Sequence, residues 1–213
     1  MTEDEAKGWL TDTLAVSRET MMQLDTLREM VIEETARQNL ISAASIPHFW
    51  VRHIADSAQL LLHSQAYDGA DKAWLDLGTG AGFPGLVIAI LRNAPIHFVE
   101  ERRKRHEFLS HVAATLDLAH VTVHGCRLES LNMEPVAIIS ARAFAPLPKL
   151  FALGRRFSRN ETVWLLPKGR TAQEELASVK HTWQGVFHVK PSITDAEASI
   201  IVARRVWQET KRP

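Results

Sequence analysis

The stretch at residues 75–91, LDLGTGAGFPGLVIAIL, places four glycines within eight positions between two apolar runs. Inside a regular element, glycine costs about 0.5–1 kcal/mol relative to alanine. Four glycines so close together therefore predict a turn whose bare backbone lets another group approach. The apolar residues on either side predict a strand at 73–77 that leads into the turn and a helix at 83–92 that leads out of it.

After the turn signal YDGAD (67–71), short apolar runs alternate with helical stretches. Strands are predicted at 73–77, 96–100, 121–125, 136–140 and 162–166, and helices at 83–92, 102–116, 147–157 and 171–181. This alternation is typical of βαβ units, which form a parallel sheet with helices on both faces. The stretch 183–206 contains two extended runs around a polar link. It predicts an antiparallel pair that completes an α/β fold with a mostly parallel, seven-stranded sheet.

The N-terminal third of the chain has a helical pattern. Apolar residues recur at helical spacing within residues 2–36, which predicts two helices. A third helix is predicted at 45–62, with Pro47 in its first turn. The sequence therefore predicts an N-terminal helical extension at residues 1–66, packed on a core domain at residues 67–213.

Composition limits the class of protein. The 213 residues fit one domain with an appendage. No run approaches the roughly 18 apolar residues of a membrane span, and the acidic N-terminus lacks the pattern of a signal peptide. The single cysteine, Cys126, excludes an internal disulfide and fits a reducing compartment. We expect a cytoplasmic monomer with no membrane segment.

The net charge is zero, but charge is unevenly distributed along the chain. Residues 1–35 hold nine acidic and three basic side chains, so the remaining residues carry a net charge of +6. A basic face there could meet nucleic-acid phosphates, and a solvated charged surface is the alternative. The candidate members of a basic track are Arg102, Arg103, Lys104, Arg105, Arg155, Arg156 and Arg159.

Two acidic residues decide which ligand the glycine turn holds. The turn matches the pattern GxGxxG, and Glu100 lies 20 residues beyond Gly80, which is the spacing of a dinucleotide site. However, Asp76 ends the first predicted strand, and a pyrophosphate disfavours a carboxylate beside it. The cationic sulfonium and ammonium of S-adenosylmethionine favour that carboxylate, while Glu100 can accept both ribose hydroxyls. The pattern WLDLGTGAG is thus typical of Rossmann-like methyltransferases.

Five segments of the chain resemble the RsmG (GidB) family, in the same order. They are NLIS (39–42), RHIADS (52–57), LDLGTGAGFPGLVIAI (75–90), ISARAFAPL (139–147) and LLPKGR (165–170). That family methylates N7 of a guanine in the decoding region of 16S ribosomal RNA. The resemblance implies a Rossmann-like class I methyltransferase fold, S-adenosylmethionine as cofactor, and 16S rRNA or the small ribosomal subunit as partner.

The resemblance also implies a set of site residues. The cofactor would be held by Asp76, Gly78, Gly80, Phe83, Glu100, Leu128, Glu129 and Arg142. Leu128 and Glu129 would lie beside the adenine, and Arg142 would close the site. Asn39, His53, Asp56 and Ser57 also match family positions. RNA contact and buried polar contacts explain these four equally well, so their role stays open.

The expected chemistry requires no catalytic residue. Guanine N7 carries an in-plane lone pair at neutral pH, so no proton is removed before attack, and orientation supplies the catalysis. We predict that Arg142 binds guanine O6 or a phosphate, with a salt bridge as the alternative. Lys168 is predicted to bind an RNA phosphate, with an ordinary surface lysine as the alternative.

Other kinds of site are less consistent with the sequence. The ten histidines form neither HExxH nor a cysteine–histidine cluster, so no metal site is expected. Cys126 is the only candidate nucleophile for pyrimidine C5 methylation, and we favour a buried, inert thiol. Two functional alternatives remain open: a methyltransferase of another RNA or of a small molecule, and an NAD-binding oxidoreductase or regulator.

Overall fold

The computed structural model describes residues 1–65 and 72–208. Its strands are β1 (Trp74–Leu77), β2 (Ile96–Val99), β3 (Val121–His124), β4 (Ile138–Ser140), β5 (Val163–Lys168), β6 (Trp183–Pro191) and β7 (Ser199–Gln208). Its α-helices are α1 (Glu3–Leu14), α2 (Arg18–Gln38), α3 (Asp56–Ala58), α4 (Leu61–Ser64), α5 (Gly85–Leu91), α6 (Arg103–Thr115), α7 (Leu147–Gly154) and α8 (Ala172–Val179).

The seven strands form one sheet in the order β3-β2-β1-β4-β5-β7-β6. The first five strands run parallel, whereas β7 is antiparallel to both β5 and β6. The predicted α/β class, mostly parallel sheet and C-terminal antiparallel pair are therefore confirmed. The strand order reverses between β1 and β4, and ligands bind beyond the carboxyl ends of the strands at such a point.

Helices cover both faces of the sheet because side chains alternate along each strand. Trp74 of β1 packs into one apolar cluster, which includes α5, α6 and the N-terminal helices. Leu75 and Leu77 pack into a second cluster, which includes α7 and α8. Because α5 lies between the sheet and the N-terminal helices, six of its seven residues are buried. This position explains its continuous apolar sequence.

The N-terminal segment begins with two capped helices, of which α2 packs on α5 and α6, and α1 packs on residues 50–55. α1 begins with a capping box in which the Glu5 N–H donates to Thr2 Oγ1 at 3.2 Å. The buried side chains of α2 are Leu24, Leu27 and Val31. The predicted boundary between residues 66 and 67, and the turn signal at 67–71, lie outside the described residues. The division into an extension and a core domain therefore stays a prediction.

The single helix predicted at 45–62 is wrong. The structure has a 3-10 helix at Ala43–His48 that contains Pro47, then a π-helix at Trp50–Ala55 that runs into α3. Proline lacks the N–H that a regular helix needs, which explains the irregular start. Within the described parts of the chain, no helix is long and apolar enough to cross a membrane.

Side-chain donors bind main-chain oxygens in this irregular segment. Arg142 Nη1 donates to the Arg52 carbonyl at 3.1 Å, and Ser57 Oγ donates to the His53 carbonyl at 2.6 Å. The Arg52 and His53 carbonyls thus accept hydrogen bonds from side chains. π-Helical turns occur frequently at functional sites.

Two positions on α2 test the packing of the N-terminal layer. Leu24 is fully buried, and Met22, two residues earlier, is 62% exposed. We expect Leu24→Ala to lower the free energy of unfolding by about 2–5 kcal/mol, because it leaves a cavity beneath α2. Met22→Ala should change it by less than about 0.5 kcal/mol. Urea denaturation of both variants measures the difference, and equal effects would contradict this packing.

Candidate active site

Two cavities lie beyond the carboxyl ends of the parallel strands. The small cavity has a volume of about 290 Å³, and its lining includes Gly78, Glu100, Leu128 and Glu129. The large cavity has a volume of about 1190 Å³, and its lining includes His53, Asp56, Arg142 and Lys168. Residues 143–145 line both cavities and so form their common wall. The sheet edge thus brings most of the predicted site residues together.

Asp76 is a buried acid at the end of β1, with no exposed surface. Its Oδ1 accepts a hydrogen bond from Ser140 Oγ at 2.6 Å, and Ser140 Oγ accepts one from Trp74 Nε1 at 2.8 Å. Its Oδ2 lies against Gly85 but has no hydrogen-bond partner of ordinary geometry among the described residues. Burial raises the pKa of Asp76 to about 6, although Ser140 and Thr79 oppose the shift. Asp76 is therefore a carboxylate that lacks a counter-charge in direct contact among the described residues. It lies beneath the sheet edge and is not among the residues that line the two cavities.

Gly78 begins the glycine turn directly beneath the ring of Phe144. Its φ of +64° lies in the left-handed region, which favours glycine. A Cβ at this position would lie 2.2 Å from Phe144 Cδ2, so no larger residue fits without displacing the ring. Phe144 is preceded by Ala143, which also has a positive φ, of 52°. The common wall of the two cavities therefore rests on the glycine turn.

Glu100 fixes the other side of the turn, just beyond β2. Its Oε2 accepts the Gly80 N–H at 3.0 Å, and its Oε1 accepts the Arg102 N–H at 2.8 Å. Each carboxylate oxygen keeps one lone pair for a further donor. Glu100 is 6% exposed and lines the small cavity, so those lone pairs are available to a ligand bound there.

Leu128 and Glu129 form a short 3-10 helix, Leu128–Ser130, at the far side of the small cavity. Leu128 is buried, whereas Glu129 is exposed and pairs with Arg127 at 3.3 Å. Cys126 is only partly buried and lines the same cavity, so the expected buried thiol is wrong.

Arg142 connects the sheet to the N-terminal segment. Its Nη1 lies 3.2 Å from Asp56 Oδ2, and its Nη2 lies 3.4 Å from His53 Nδ1. Its guanidinium carbon lies 5.2 Å from the centre of the Phe83 ring. Burial lowers the pKa of Arg142, and the Asp56 charge opposes that shift. The salt-bridge alternative is thus present, and the same guanidinium also lines the large cavity.

His53 is a neutral side chain that packs between aromatic rings and Arg142. Its ring stacks on Phe83, with centroids 4.8 Å apart and an interplanar angle of 27°. Burial, with smaller contributions from Arg142 and Arg52, lowers the pKa of His53 to about 3. Because arginine only donates, His53 Nδ1 accepts and the ring proton resides on Nε2. Nε2 has no partner among the residues that the structure describes.

Structural roles account for two further residues that match family positions. Asn39 ends α2 in the left-handed conformation, with φ of 48°, and its N–H donates to the Thr35 carbonyl. Asparagine adopts this conformation more readily than most residues, so it suits a helix end. Ser57 is buried and bonds within its own helical segment. Asp56, in contrast, lines the large cavity and accepts from Gln59, Thr194 and Arg142.

Lys168 ends β5 on the wall of the large cavity. Its Nζ lies 2.6 Å from Glu175 Oε2, and its side chain is only 13% exposed. It is therefore not an ordinary surface lysine. Nothing in the sequence pattern singles out Glu175, because its partner lies seven residues away across the turn into α8. Phe144 lies in the segment ISARAFAPL (139–147), but its contact with Gly78 depends on the tertiary fold.

The residues of the predicted basic track have different surroundings in the structure. Arg103 pairs with Glu107 at 2.7 Å on α6. Arg156 donates to the carbonyls of Leu128 and Leu131, so it supports the far side of the small cavity. Arg102 and Arg105 line the mouth of that cavity. Across the described residues, no group of three or more His, Cys, Asp or Glu side chains could hold a metal ion.

Solved structures with a similar fold include several methyltransferases. An O-methyltransferase from Bacillus cereus, in complex with SAH, superposes with a TM-score of 0.59 at 16% identity, covering 92% of this chain and 96% of that one. A fibrillarin/Nop5p complex matches with a TM-score of 0.57 at 16% identity, covering 73% and 82%. At this identity the likeness shows the fold alone, and it confirms the Rossmann-like methyltransferase class.

Sequence comparison gives closer relatives over nearly the whole chain. "Ribosomal RNA small subunit methyltransferase G" of Sphingopyxis alaskensis is 52% identical over 201 residues, covering 94% of this chain and 85% of that protein. The protein of the same name from Rhizorhabdus wittichii is 50% identical over 213 residues, covering 99% and 96%. The model of the GidB family, rRNA small subunit methyltransferase G, matches residues 20–200. The chain therefore belongs to the rRNA small subunit methyltransferase G family.

Proposed function

We propose that this protein transfers a methyl group from S-adenosylmethionine to N7 of a guanine in the decoding region of 16S rRNA. Family membership supports the reaction class and the RNA. The structural observation that carries the proposal is the buried Asp76 carboxylate beside the glycine turn, one oxygen of which has no hydrogen bond of ordinary geometry to the described residues. A cationic ligand suits such a group, whereas a pyrophosphate repels it. A ribosomal substrate also implies a cytoplasmic location.

The residues at the sheet edge fit this cofactor. When bound, S-adenosylmethionine supplies a methyl group on a positively charged sulfur. Asp76 supplies negative charge near the glycine turn, and Glu100 supplies acceptors for ribose hydroxyls. Leu128 offers apolar contact to the adenine, and the neighbouring Glu129 offers a carboxylate to the same ring. The proposed cofactor contacts are completed by Gly78, Gly80, Phe83 and Arg142.

The chain's own contribution to catalysis is orientation. No residue of the large cavity needs to act as a base, because guanine N7 is already unprotonated at neutral pH. Arg142 is rigidly held by Asp56, His53 and the Arg52 carbonyl, so its remaining N–H groups have a fixed direction. A guanidinium so fixed can donate to guanine O6 or to a phosphate. Holding the reactants in line lowers the barrier without a covalent step.

We also assign Lys168 to the RNA side of the site. Its ammonium has three N–H donors and uses one for Glu175, which leaves two for an RNA phosphate. Its position follows from the register of β4 and β5, in which Ser140 lies opposite Leu165. Arg142 and Lys168 thus follow two neighbouring strands into the same cavity.

The direct test of the function is a map of N7-methylguanosine in 16S rRNA. A strain that lacks the gene should lose one N7-methylated guanine in the decoding region, and the gene supplied on a plasmid should restore it. Mass spectrometry of rRNA fragments measures the change. Purified protein should methylate small subunits from the deletion strain and not those from wild type. An unchanged N7-methylguanosine inventory in the deletion strain would refute the assignment.

The raised pKa of Asp76 predicts that cofactor affinity depends on pH. Because the pKa is about 6, the carboxylate form falls from most of the population at pH 7 to about a tenth at pH 5. Affinity for S-adenosylmethionine should therefore weaken about tenfold between these values. Asp76→Asn should bind weakly at both. Titration calorimetry measures this, and a variant that matches wild type at pH 7 would contradict the charge argument.

The same residue predicts an opposite effect on stability. The folded-state pKa of Asp76 is raised above its usual value of 3.8, so the folded chain binds the proton more tightly. Stability without cofactor should therefore fall as pH rises from 3.8 through about 6. Asp76→Asn should remove that fall, which distinguishes a loss of binding from a loss of folding.

A pair of glycines tests the glycine turn. Gly78→Ala places a Cβ against Phe144 at a positive φ, so we expect lower stability and at least tenfold weaker binding of S-adenosylmethionine. Gly8→Ala, within α1, meets nothing within 4 Å. It should raise the free energy of unfolding by about 0.5–1 kcal/mol and leave binding unchanged. Wild-type binding by the Gly78 variant would contradict the proposed cofactor position.

A further inference from the structure

Attack by N7 does not by itself distinguish guanine from adenine, because both bases carry the same N7 lone pair. The two bases differ in their other polar groups. Guanine has an O6 acceptor and donors at N1 and N2, whereas adenine has an N6 donor and an acceptor at N1. An enzyme that methylates guanine N7 must therefore present a donor to O6, an acceptor to N1 and N2, or both. This inference rests on the proposed function and adds how the base is selected.

The large cavity presents groups of both kinds. Arg142, which lines the cavity, supplies hydrogen-bond donors. On the α8 side, the acids that line the cavity are Glu174 and Glu175. A carboxylate accepts hydrogen bonds and donates none, so an RNA group that pairs with one of these acids must carry hydrogen-bond donors. The N1–H and N2–H groups of guanine meet that requirement, and the N1 lone pair of adenine is repelled.

Of the acids in this cavity, Glu175 is held most suitably to read a base. Lys168 Nζ lies 2.6 Å from its Oε2, and Thr171 Oγ1 lies 3.3 Å from its Oε1. Its side chain is 27% exposed, so the carboxylate is oriented but still accessible. Asp56 already accepts three hydrogen bonds, including the one from Arg142. Glu174, on the same helix turn, and Asp195, between β6 and β7, are exposed to solvent.

We propose that Glu175 is a specificity-determining residue that accepts hydrogen bonds from N1–H and N2–H of the target guanine. Lys168 is its positioning residue, since the ion pair fixes the direction of the carboxylate. Each oxygen of Glu175 keeps a lone pair beyond those used by Lys168 and Thr171. Carboxylates accept such paired donors through both oxygens at once, which is the arrangement that gives high selectivity.

The test compares guanosine with inosine, which lacks only the N2 amino group. Small subunits are reconstituted with 16S rRNA that carries one or the other at the methylated position, and kcat/KM for methyl transfer is measured. For wild type, inosine should lower kcat/KM about 10- to 100-fold, because a hydrogen bond to a charged acceptor is lost. Glu175→Ala should lower kcat/KM on guanosine by at least that factor, because both proposed hydrogen bonds are lost, and the variant should show little difference between guanosine and inosine.

Controls separate this role from others. Glu174→Ala, one residue away, should keep the wild-type ratio of guanosine to inosine. Lys168→Met should reduce that ratio while the protein still binds S-adenosylmethionine. A wild-type ratio in Glu175→Ala would overturn the inference and leave the proposed function intact. Failure of the wild-type protein to methylate guanosine at all would overturn the proposed function, and the inference with it.

Discussion

A carboxylate buried without a counter-charge in direct contact dominates the physics of this site. Asp76 lies near the end of β1, the middle one of the five parallel strands. One of its oxygens accepts from Ser140, and the other has no hydrogen bond of ordinary geometry to the described residues. Desolvation of a charged carboxylate is unfavourable, which is why its pKa rises. The folded chain therefore contains an unfavourably desolvated carboxylate, and a bound cation can offset that desolvation cost. Asp76 lies against Gly85 at one end of the glycine turn, Glu100 accepts the Gly80 N–H, and the Phe144 ring covers Gly78.

The N-terminal segment contributes directly to the site and is more than a cover for α5. Asp56 and His53 contact Arg142 across a sequence separation of almost 90 residues. The π-helix at Trp50–Ala55 contains His53 and directly precedes Asp56, and its Arg52 carbonyl accepts from Arg142. The N-terminal segment therefore supplies both side chains and a main-chain oxygen to the contacts of Arg142.

The fold could be predicted from local sequence patterns, because the apolar runs of the core match its strands and helices. β1 is predicted at 73–77 and observed at Trp74–Leu77, and β6 and β7 form the predicted antiparallel pair. Asp76 and Glu100 were also accessible from the sequence, because parallel strands end at one edge. The departure at 45–62 was only partly accessible, because Pro47 marks an irregular start but the contacts of His53 and Asp56 with Arg142 join residues distant in sequence.

The contacts between side chains across the site were also not predictable from the sequence. The order of residues does not reveal that Lys168 meets Glu175, that Arg142 meets Asp56, or that the Phe144 ring covers Gly78. Each contact joins elements that are brought together only by sheet register and helix packing. The sequence therefore identified the charged side chains of the site, but it did not identify the partners that orient them.

The wall formed by residues 143–145 has a thermodynamic consequence. It lines both cavities and rests on the glycine turn, with Ala143 in a left-handed conformation at its start. Any ligand that displaces the wall from one side changes the surface met from the other. If the methyl donor binds in one cavity and the RNA in the other, linkage requires that each alters the affinity of the other by the same factor. The three residues of this wall would then couple the two binding events.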